Sequence, residues 1–279
     1  MSRVYRALEK AEREKEERLQ RKTSLERPRQ PEIFKKEIEP FERVAEKPEA
    51  LNLPLRDDVP MLVPSTHPFA AEEFRKLKTQ VFHWSPGPPH IILVTSAFPD
   101  EGKTIVSVNL AMAISQEIHK EAILIDADLR RPSVHFEDAR YSRGLSNYLT
   151  GQTSLADILI HSEAEKLWVI PAGPSSKQSA EIIGSRRMEE LLQSLRTFGK
   201  DTFIVIDCSP LLSTSEPVLL SKWVDGVILV VMVDRSPRES IKRAIQLIDR
   251  EKIIGVVLNQ KEVKASSYYS NYYYSHYHR

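Results

Sequence analysis

Apolar positions at Phe74, Leu77, Val81 and Trp84 recur at the spacing of one helix face within AAEEFRKLKTQVFHW, so order is expected to begin near Thr66 with a helix over residues 70–84. Beyond the break PGPP the pattern changes. Short runs rich in β-branched residues (HIILVTS, AILIDAD, LWVIPAG, FIVIDCS, VILVVMV and IIGVVLN) alternate with amphipathic stretches. The stretches predict helices from about Lys103, around Leu155, and over 180–198, 215–223 and 237–250. Alternation of this kind without hairpin turns predicts a parallel sheet covered by helices on both faces. Ligands bind such sheets at the carboxyl ends of the strands, which is where chemistry is to be sought.

The flanks read differently. Residues 1–27 are charge-dense, with Glu9/Arg13, Glu14/Arg18 and Glu17/Arg21 at the i,i+4 spacing that supports an exposed helix. Val4, Leu8 and Ala11 form a short apolar stripe on it, which either docks a partner helix or lies on a solvated one. Residues 28–65 hold proline among charges without helical or strand periodicity and predict a mostly disordered linker. The domain is expected over residues 66–260. The last residues, 261–279, hold six of the nine tyrosines, Tyr268, Tyr269, Tyr272, Tyr273, Tyr274 and Tyr277. They are interleaved with Ser, Asn and His at no regular period, so the segment reads as an exposed, flexible tail. Its tyrosines are either sticky aromatics or substrates.

At 279 residues and 41% hydrophobic content the chain can bury one large core. Its 40 basic and 39 acidic residues set up no global field, which argues against nucleic acid as the main partner. The only cysteine, Cys208, excludes an internal disulfide, no secretory leader pattern is read, and a reducing cytosol fits. The longest apolar run, Val227 to Val233, is far short of the roughly 20 residues that cross a bilayer, so work at a membrane would need a partner to bring the protein there.

Three strand ends carry candidate chemistry. TSAFPDEGKT, Thr95 to Thr104, matches the phosphate-binding pattern G-x-x-x-x-G-K-[ST] except that Ala97 replaces the leading glycine. Placed between a strand and a helix N-terminus, such a loop turns backbone N–H groups toward an anion. Lys103 would reach the β and γ phosphates of a nucleotide, Thr104 would bind Mg²⁺, and Gly102 would let the backbone approach closely. The second, AILIDADLRRP, ends in Asp126 and Asp128 and then Arg130; two carboxylates one residue apart can divide between a metal and a substrate hydroxyl. The third, FIVIDCSP, ends in Asp207, an acidic tip that a hydrated Mg²⁺ would satisfy.

With SAFPDEGKT, ILIDADLRRP, VIDCSP and the terminal tyrosine cluster, residues 66–279 resemble the bacterial protein tyrosine kinases (BY-kinases) that autophosphorylate and control capsule and exopolysaccharide synthesis. EEFRKLK resembles the E-x-x-R-x-x-R helix of that family through Glu72, Arg75 and Lys78. The opening MSRVYRALEKAE resembles stand-alone kinases of exosortase-linked polysaccharide loci. The resemblance implies an α/β, P-loop NTPase-type fold with a mostly parallel sheet, and ATP with Mg²⁺ as cofactors. The nucleotide would lie on Ala97, Pro99, Asp100, Glu101, Gly102, Lys103, Thr104 and Ile105. Asn259, ending the last strand, either contacts the base or is a strand-end turn residue. Lys103, Asp126, Asp128 and Arg130 are the catalytic candidates, and Thr104, Asp128 and Asp207 the metal-side ones. Asp126 is the candidate base and Arg130 lies near the acceptor or its phosphate, with the two Asp roles exchangeable.

The partners implied are a ring-like homo-oligomer contacting through Glu72, Arg75 and Lys78, the cytoplasmic part of a membrane polysaccharide co-polymerase or chain-length regulator, and a cognate tyrosine phosphatase. A cytoplasmic protein recruited to the inner face of the membrane follows, and the tail would be phosphorylated in trans. Two departures stand out: Lys78 where the family usually has Arg, which loses the planar fork, and Cys208 and Ser209 before Pro210 where a small residue and two prolines are common. Two other readings compete. A partitioning or division-site switch ATPase usually carries an extra lysine early in its loop, which SAFPDEG lacks. An adaptor with an aromatic tail, with His276 and His278 gripping a metal, leaves the three strand ends unexplained.

Overall fold

The computed structural model describes residues 51–52, 68–134, 142–162 and 166–259. The charged segment 1–27 and the tyrosine tail 261–279 lie outside the described residues. Eight strands form one sheet: β1 (Leu51–Asn52), β2 (Ile91–Ser96), β3 (Glu121–Asp126), β4 (Ile160–Ser162), β5 (Leu167–Ile170), β6 (Thr202–Asp207), β7 (Gly226–Met232) and β8 (Ile253–Asn259). Their order is β1-β4-β5-β3-β6-β2-β7-β8. The helices are α1 (Pro68–Phe82), α2 (Lys103–Ser115), α3 (Leu145–Leu149), α4 (Ser179–Ile183), α5 (Arg186–Leu195), α6 (Glu216–Leu220) and α7 (Arg238–Gln246).

Alternation within each strand builds two cores. In β2, Ile91 and Leu93 face a cluster closed by Leu145, Met188, Leu191, Leu195 and Leu220 from α3, α5 and α6. Ile92 and Val94 face the other side, where Val106, Leu110 and Ile114 of α2 and Val81 of α1 close a second cluster. Helices therefore cover both faces, as the run pattern predicts. The chain passes from β2 to β3 across the place that β6 fills, then returns across β2 to β7. That reversal makes the carboxyl end of β2 the switch point of the sheet.

The departures from expectation have local causes. The sheet is not wholly parallel, because β4 pairs antiparallel with β5 and so forms the hairpin the sequence did not signal. Leu51–Asn52, inside the stretch read as linker, joins the sheet by pairing with β4. The helix expected around Leu155 is absent: Asp157 Oδ2 accepts from Thr153 Oγ1 (2.9 Å), Ser154 Oγ (2.7 Å) and Ser154 N (3.0 Å), so side chains close a turn in place of helical bonds. The helix in that region is α3, earlier in the chain. The helix expected over 180–198 is two, because Ser185 (φ −74°, ψ 153°) is extended and restarts the chain as α5.

Where β2 begins, Asp225 ties the sheet to α5. Its Oδ2 accepts from His90 N (3.0 Å) and Ile91 N (2.8 Å), and Arg196 grips both carboxylate oxygens (2.6 and 3.1 Å). Burial raises the carboxyl's pKa, but Arg196 and the backbone donors outweigh it and hold it below the ordinary value. A depressed folded pKa gives stability that is present above the ordinary carboxylate pKa and lost as pH falls through the folded one. Asp225→Asn should therefore cost about 1–3 kcal/mol at neutral pH. The difference from wild type should shrink in acid, read from urea midpoints across pH 3 to 7.

Candidate active site

The loop after β2 is held from several sides. Asp100 (φ 61°) and Gly102 (φ 88°) both take left-handed backbone, and α2 starts at the next residue, Lys103. Glycine suits position 102 because its backbone is left-handed, and a Cβ there would lie 2.0 Å from Asn259 Nδ2 and displace that amide. Position 97 needs no glycine: Ala97 is fully buried and its methyl belongs to the first core cluster. That is how the leading glycine of the pattern is dispensed with. Pro99 and Asp100 stand exposed at the loop tip, and Ile105, 40% exposed, lies in the first turn of α2.

Glu101 has a role that its place in the motif did not disclose. Its side chain is buried, and its carboxylate accepts from Phe98 N (2.7 Å), from Met232 N (3.4 Å) and from the Ser236 hydroxyl. Its carbonyl accepts from Asn259 Nδ2 (3.0 Å). One residue thus joins the loop to the ends of β7 and β8, leaving backbone N–H groups of the loop and helix start for an anion.

The three strand ends converge. Asp126 and Asp207 are opposite one another in the parallel register of β3 and β6, and both are completely buried. Asp126 Oδ1 accepts from Asp128 N (3.0 Å), and its Oδ2 from Ser133 N and Val134 N (both 2.9 Å). Its carboxylate therefore shapes the loop that follows β3. Asp128 Oδ2 lies 3.4 Å from Lys103 Nζ, with Oδ1 on Arg131 N (3.0 Å). Asp207 Oδ1 accepts from Ser107 Oγ (3.1 Å), while its Oδ2 is buried with no hydrogen-bond partner among the described residues. Ser107, one helical turn after Lys103 and also bonded to Lys103 O (2.9 Å), was missed; its i,i+4 spacing on the buried side of α2 was the available signal.

Electrostatics follow from this crowding. Burial pushes Asp207 up to about 7, joined by the charge of Asp126 and opposed by Lys103, Thr104 and Ser107. Burial likewise pushes Asp126 up to about 6 against its three backbone donors. Burial acts to lower the pKa of Lys103, but Asp207 and Asp128 reverse the effect and keep the ammonium charged above its ordinary value.

The residues expected elsewhere are placed as follows. Arg130 Nε donates to Glu216 Oε1 (2.8 Å) and Ser179 Oγ (2.9 Å). Ser209, where two prolines are common, meets Thr214 through its hydroxyl (2.6 Å) and accepts from Thr95 Oγ1 at its carbonyl (2.8 Å), so the non-proline residue is used to fold the turn after β6. Glu72 and Arg75 pair with each other on the exposed side of α1 (2.8 Å). Lys78 instead turns inward, 11% exposed, to pair with Glu117 just beyond α2. The tail tyrosines expected as phosphoacceptors lie outside the described residues.

Lys103, largely buried beside carboxylates at a helix N-terminus on the sheet's switch point, could hold the phosphates of a nucleotide. Residues 91–261 match the family model described as an AAA domain. The solved VpsO kinase domain is 30% identical, with 72% of this chain and 100% of that one covered and a TM-score of 0.63. The tyrosine-protein kinase YwqD of Bacillus subtilis is 28% identical over 206 residues, 72% of this chain and 86% of that one. The succinoglycan biosynthesis transport protein ExoP of Rhizobium meliloti is 29% identical over 209 residues, which is 72% of this chain but 26% of ExoP. The chain belongs to the bacterial tyrosine-protein kinase family and is a nucleotide-binding tyrosine kinase.

A raised folded pKa gives stability that is fully present below the ordinary carboxylate value and lost as pH rises through the folded one. Without nucleotide, the Asp207 contribution should fall between about pH 4 and 7. Asp207→Asn should remove that slope, so the variant gains on wild type as pH rises, measured as unfolding midpoints at pH 5, 6, 7 and 8. An unchanged slope would contradict the assignment.

Proposed function

We propose that this kinase transfers the γ-phosphoryl group of ATP to the tyrosines of its own tail, Tyr268, Tyr269, Tyr272, Tyr273, Tyr274 and Tyr277, in trans between copies of the chain. The observation that carries the reading is the joint placement of Lys103, Asp128 and Asp207 at one switch point, in a chain that ends in a tyrosine cluster. Backbone N–H groups of 97–105 would bind the phosphates, and Lys103 would neutralise charge on the β and γ groups.

Mg²⁺ fits the donors present. Asp207 carries an unpartnered buried oxygen beside Thr104, and no group of three or more His, Cys, Asp or Glu forms a protein-only cage among the described residues. A cation that keeps waters and phosphate oxygens as ligands suits such a site better than one needing a full protein shell. When bound, Mg²⁺ supplies charge neutralisation across the β and γ phosphates. Thr104 and Asp207 would hold it.

The tyrosine oxygen attacks phosphorus, the bond to the β–γ bridging oxygen breaks, ADP leaves, and the phenolic proton passes to a carboxylate. Asp126 spends both oxygens on backbone N–H groups, which favours Asp128 as that acceptor and Asp126 as the residue that holds the loop. Arg130 would face the acceptor. Asn259, tied to the loop through Glu101, would border the base.

Oligomer contact is assigned to Glu72 and Arg75, with Lys78 bracing α1 from within. The polysaccharide link rests on family resemblance and on the name of ExoP. A role in capsule or exopolysaccharide synthesis, a membrane co-polymerase partner and a tyrosine phosphatase that resets the tail complete the reading. No described helix is long and apolar enough to cross a membrane, which fits recruitment by such a partner.

Intact mass after incubation with MgATP tests the proposal. Wild type should gain several increments of one phosphate. Lys103→Met should gain none alone but should gain them when mixed with wild type, and truncation after Lys264 should abolish the gain. ATP hydrolysis with no mass gain would point to a switch ATPase instead.

A further inference from the structure

Glu216 is one of the most buried charged side chains of the protein, 1% exposed, at the start of α6, far along the chain from the phosphate loop. Ser179, fully buried at the start of α4, donates its hydroxyl to Glu216 Oε1. The only cation paired with Glu216 among the described residues is Arg130, and the contact is made solely through Nε (2.8 Å), which Ser179 Oγ also accepts (2.9 Å). The Arg130 side chain remains 46% exposed, and its terminal Nη groups make no hydrogen bond among the described residues.

A buried carboxylate is costly unless it is paired, and apolar replacement of a purely structural pair is often neutral or stabilising. Nor does the pair use what arginine does best, the two-pronged grip of its terminal nitrogens. Nε is held and the fork has no partner among the described residues, two residues after Asp128, which itself meets Lys103. An arginine otherwise free to rotate about four side-chain bonds is thereby held at Nε.

We propose that Glu216 and Ser179 are positioning residues that clamp Nε of Arg130, so that its Nη edge meets the anionic acceptor group, the tyrosine oxygen and the phosphoryl oxygens it receives. This rests on the kinase reading and on Arg130 facing the acceptor, but not on the tail being the acceptor.

The test uses full-length chains and a glutamate–tyrosine copolymer as acceptor, with initial rates at saturating MgATP. Arg130→Ala and Glu216→Gln should each lower kcat/KM for the copolymer, Glu216→Gln by on the order of 10-fold, equivalent to about 1.4 kcal/mol. The double variant should be no worse than Arg130→Ala alone, because Glu216 acts through Arg130. Nucleotide affinity should stay within about twofold in every variant, as the phosphate loop is untouched. Ser179→Ala supplies the same comparison should Glu216→Gln fold poorly. Additive losses in the double variant, an equal fall in ATP affinity, or an Arg130→Ala enzyme of wild-type rate would each overturn the proposal. Independently of any activity, the Arg130 Nε–Hε proton should exchange slowly in wild type and fast in Glu216→Gln; fast exchange in wild type would also overturn it. Copolymer phosphorylation without tail phosphorylation would sink the tail reading alone.

Discussion

Two carboxylates forced side by side in the dry end of a parallel sheet are the constraint on which the rest of the site depends. The register of β3 and β6 sets Asp126 beside Asp207, and neither is reached by water. Like charges in such a place raise each other's pKa and demand compensation. Each is compensated differently. Asp126 is satisfied by the backbone, which folds the next loop around it. Asp207 keeps one oxygen on Ser107 and leaves the other without a partner among the described residues. Lys103 is the cation the cluster draws in, and its charge is kept by the same carboxylates it balances. In the proposed transfer, a site so arranged would hold its ammonium in place before any phosphate arrived, so less reorganisation would be needed.

The phosphate loop is fixed by groups remote in sequence. Glu101 ties it to β7 and β8 through both its side chain and its carbonyl, and the Asn259 amide covers Gly102 so closely that any side chain there would have to displace it. Gly102 answers two demands at once, left-handed backbone and zero side-chain volume, so a substitution to alanine would be opposed by both. By contrast Ala97 has neither problem, since its backbone is not left-handed and its methyl fills core volume.

Much of this was legible because the decisive signals are local. Apolar runs ending in Asp126 and Asp207, and a loop between strand and helix ending in Lys103 and Thr104, place the site at one sheet edge by sequence pattern alone. What the pattern could not reveal are contacts between residues far apart in the chain. Glu216 lies 86 positions from Arg130, and nothing near it in sequence marks it as other than a first-turn helix acid. The hairpin of β4 and β5 escaped because its strands are short and one of them, Ile160–Ser162, offers too few residues for a period of two to show. Leu155, Ile158 and Leu159 do mimic a helix face and are buried, yet the carboxylate of Asp157 captures the preceding hydroxyls and the backbone turns instead. Apolar periodicity reports which residues go inside; local side-chain hydrogen bonding decides what backbone carries them there.

The position of Asn259 bears on how a tail would meet the site. β8 ends at Asn259, whose amide touches the phosphate loop through Glu101 O, so the tail starts in sequence beside the candidate site. From Gln260 to Tyr268 is eight residues, about 26 Å when fully extended. That is length enough to leave and return, but a return in so few residues must double back sharply against the strand it has just left. Under the proposed transfer between copies, no such reversal would be asked of the tail. Each phosphate added would place about −1.5 to −2 charges among tails held close together. If transfer runs between copies as proposed, its products would repel one another, and assembly would be self-limiting without any further regulatory part.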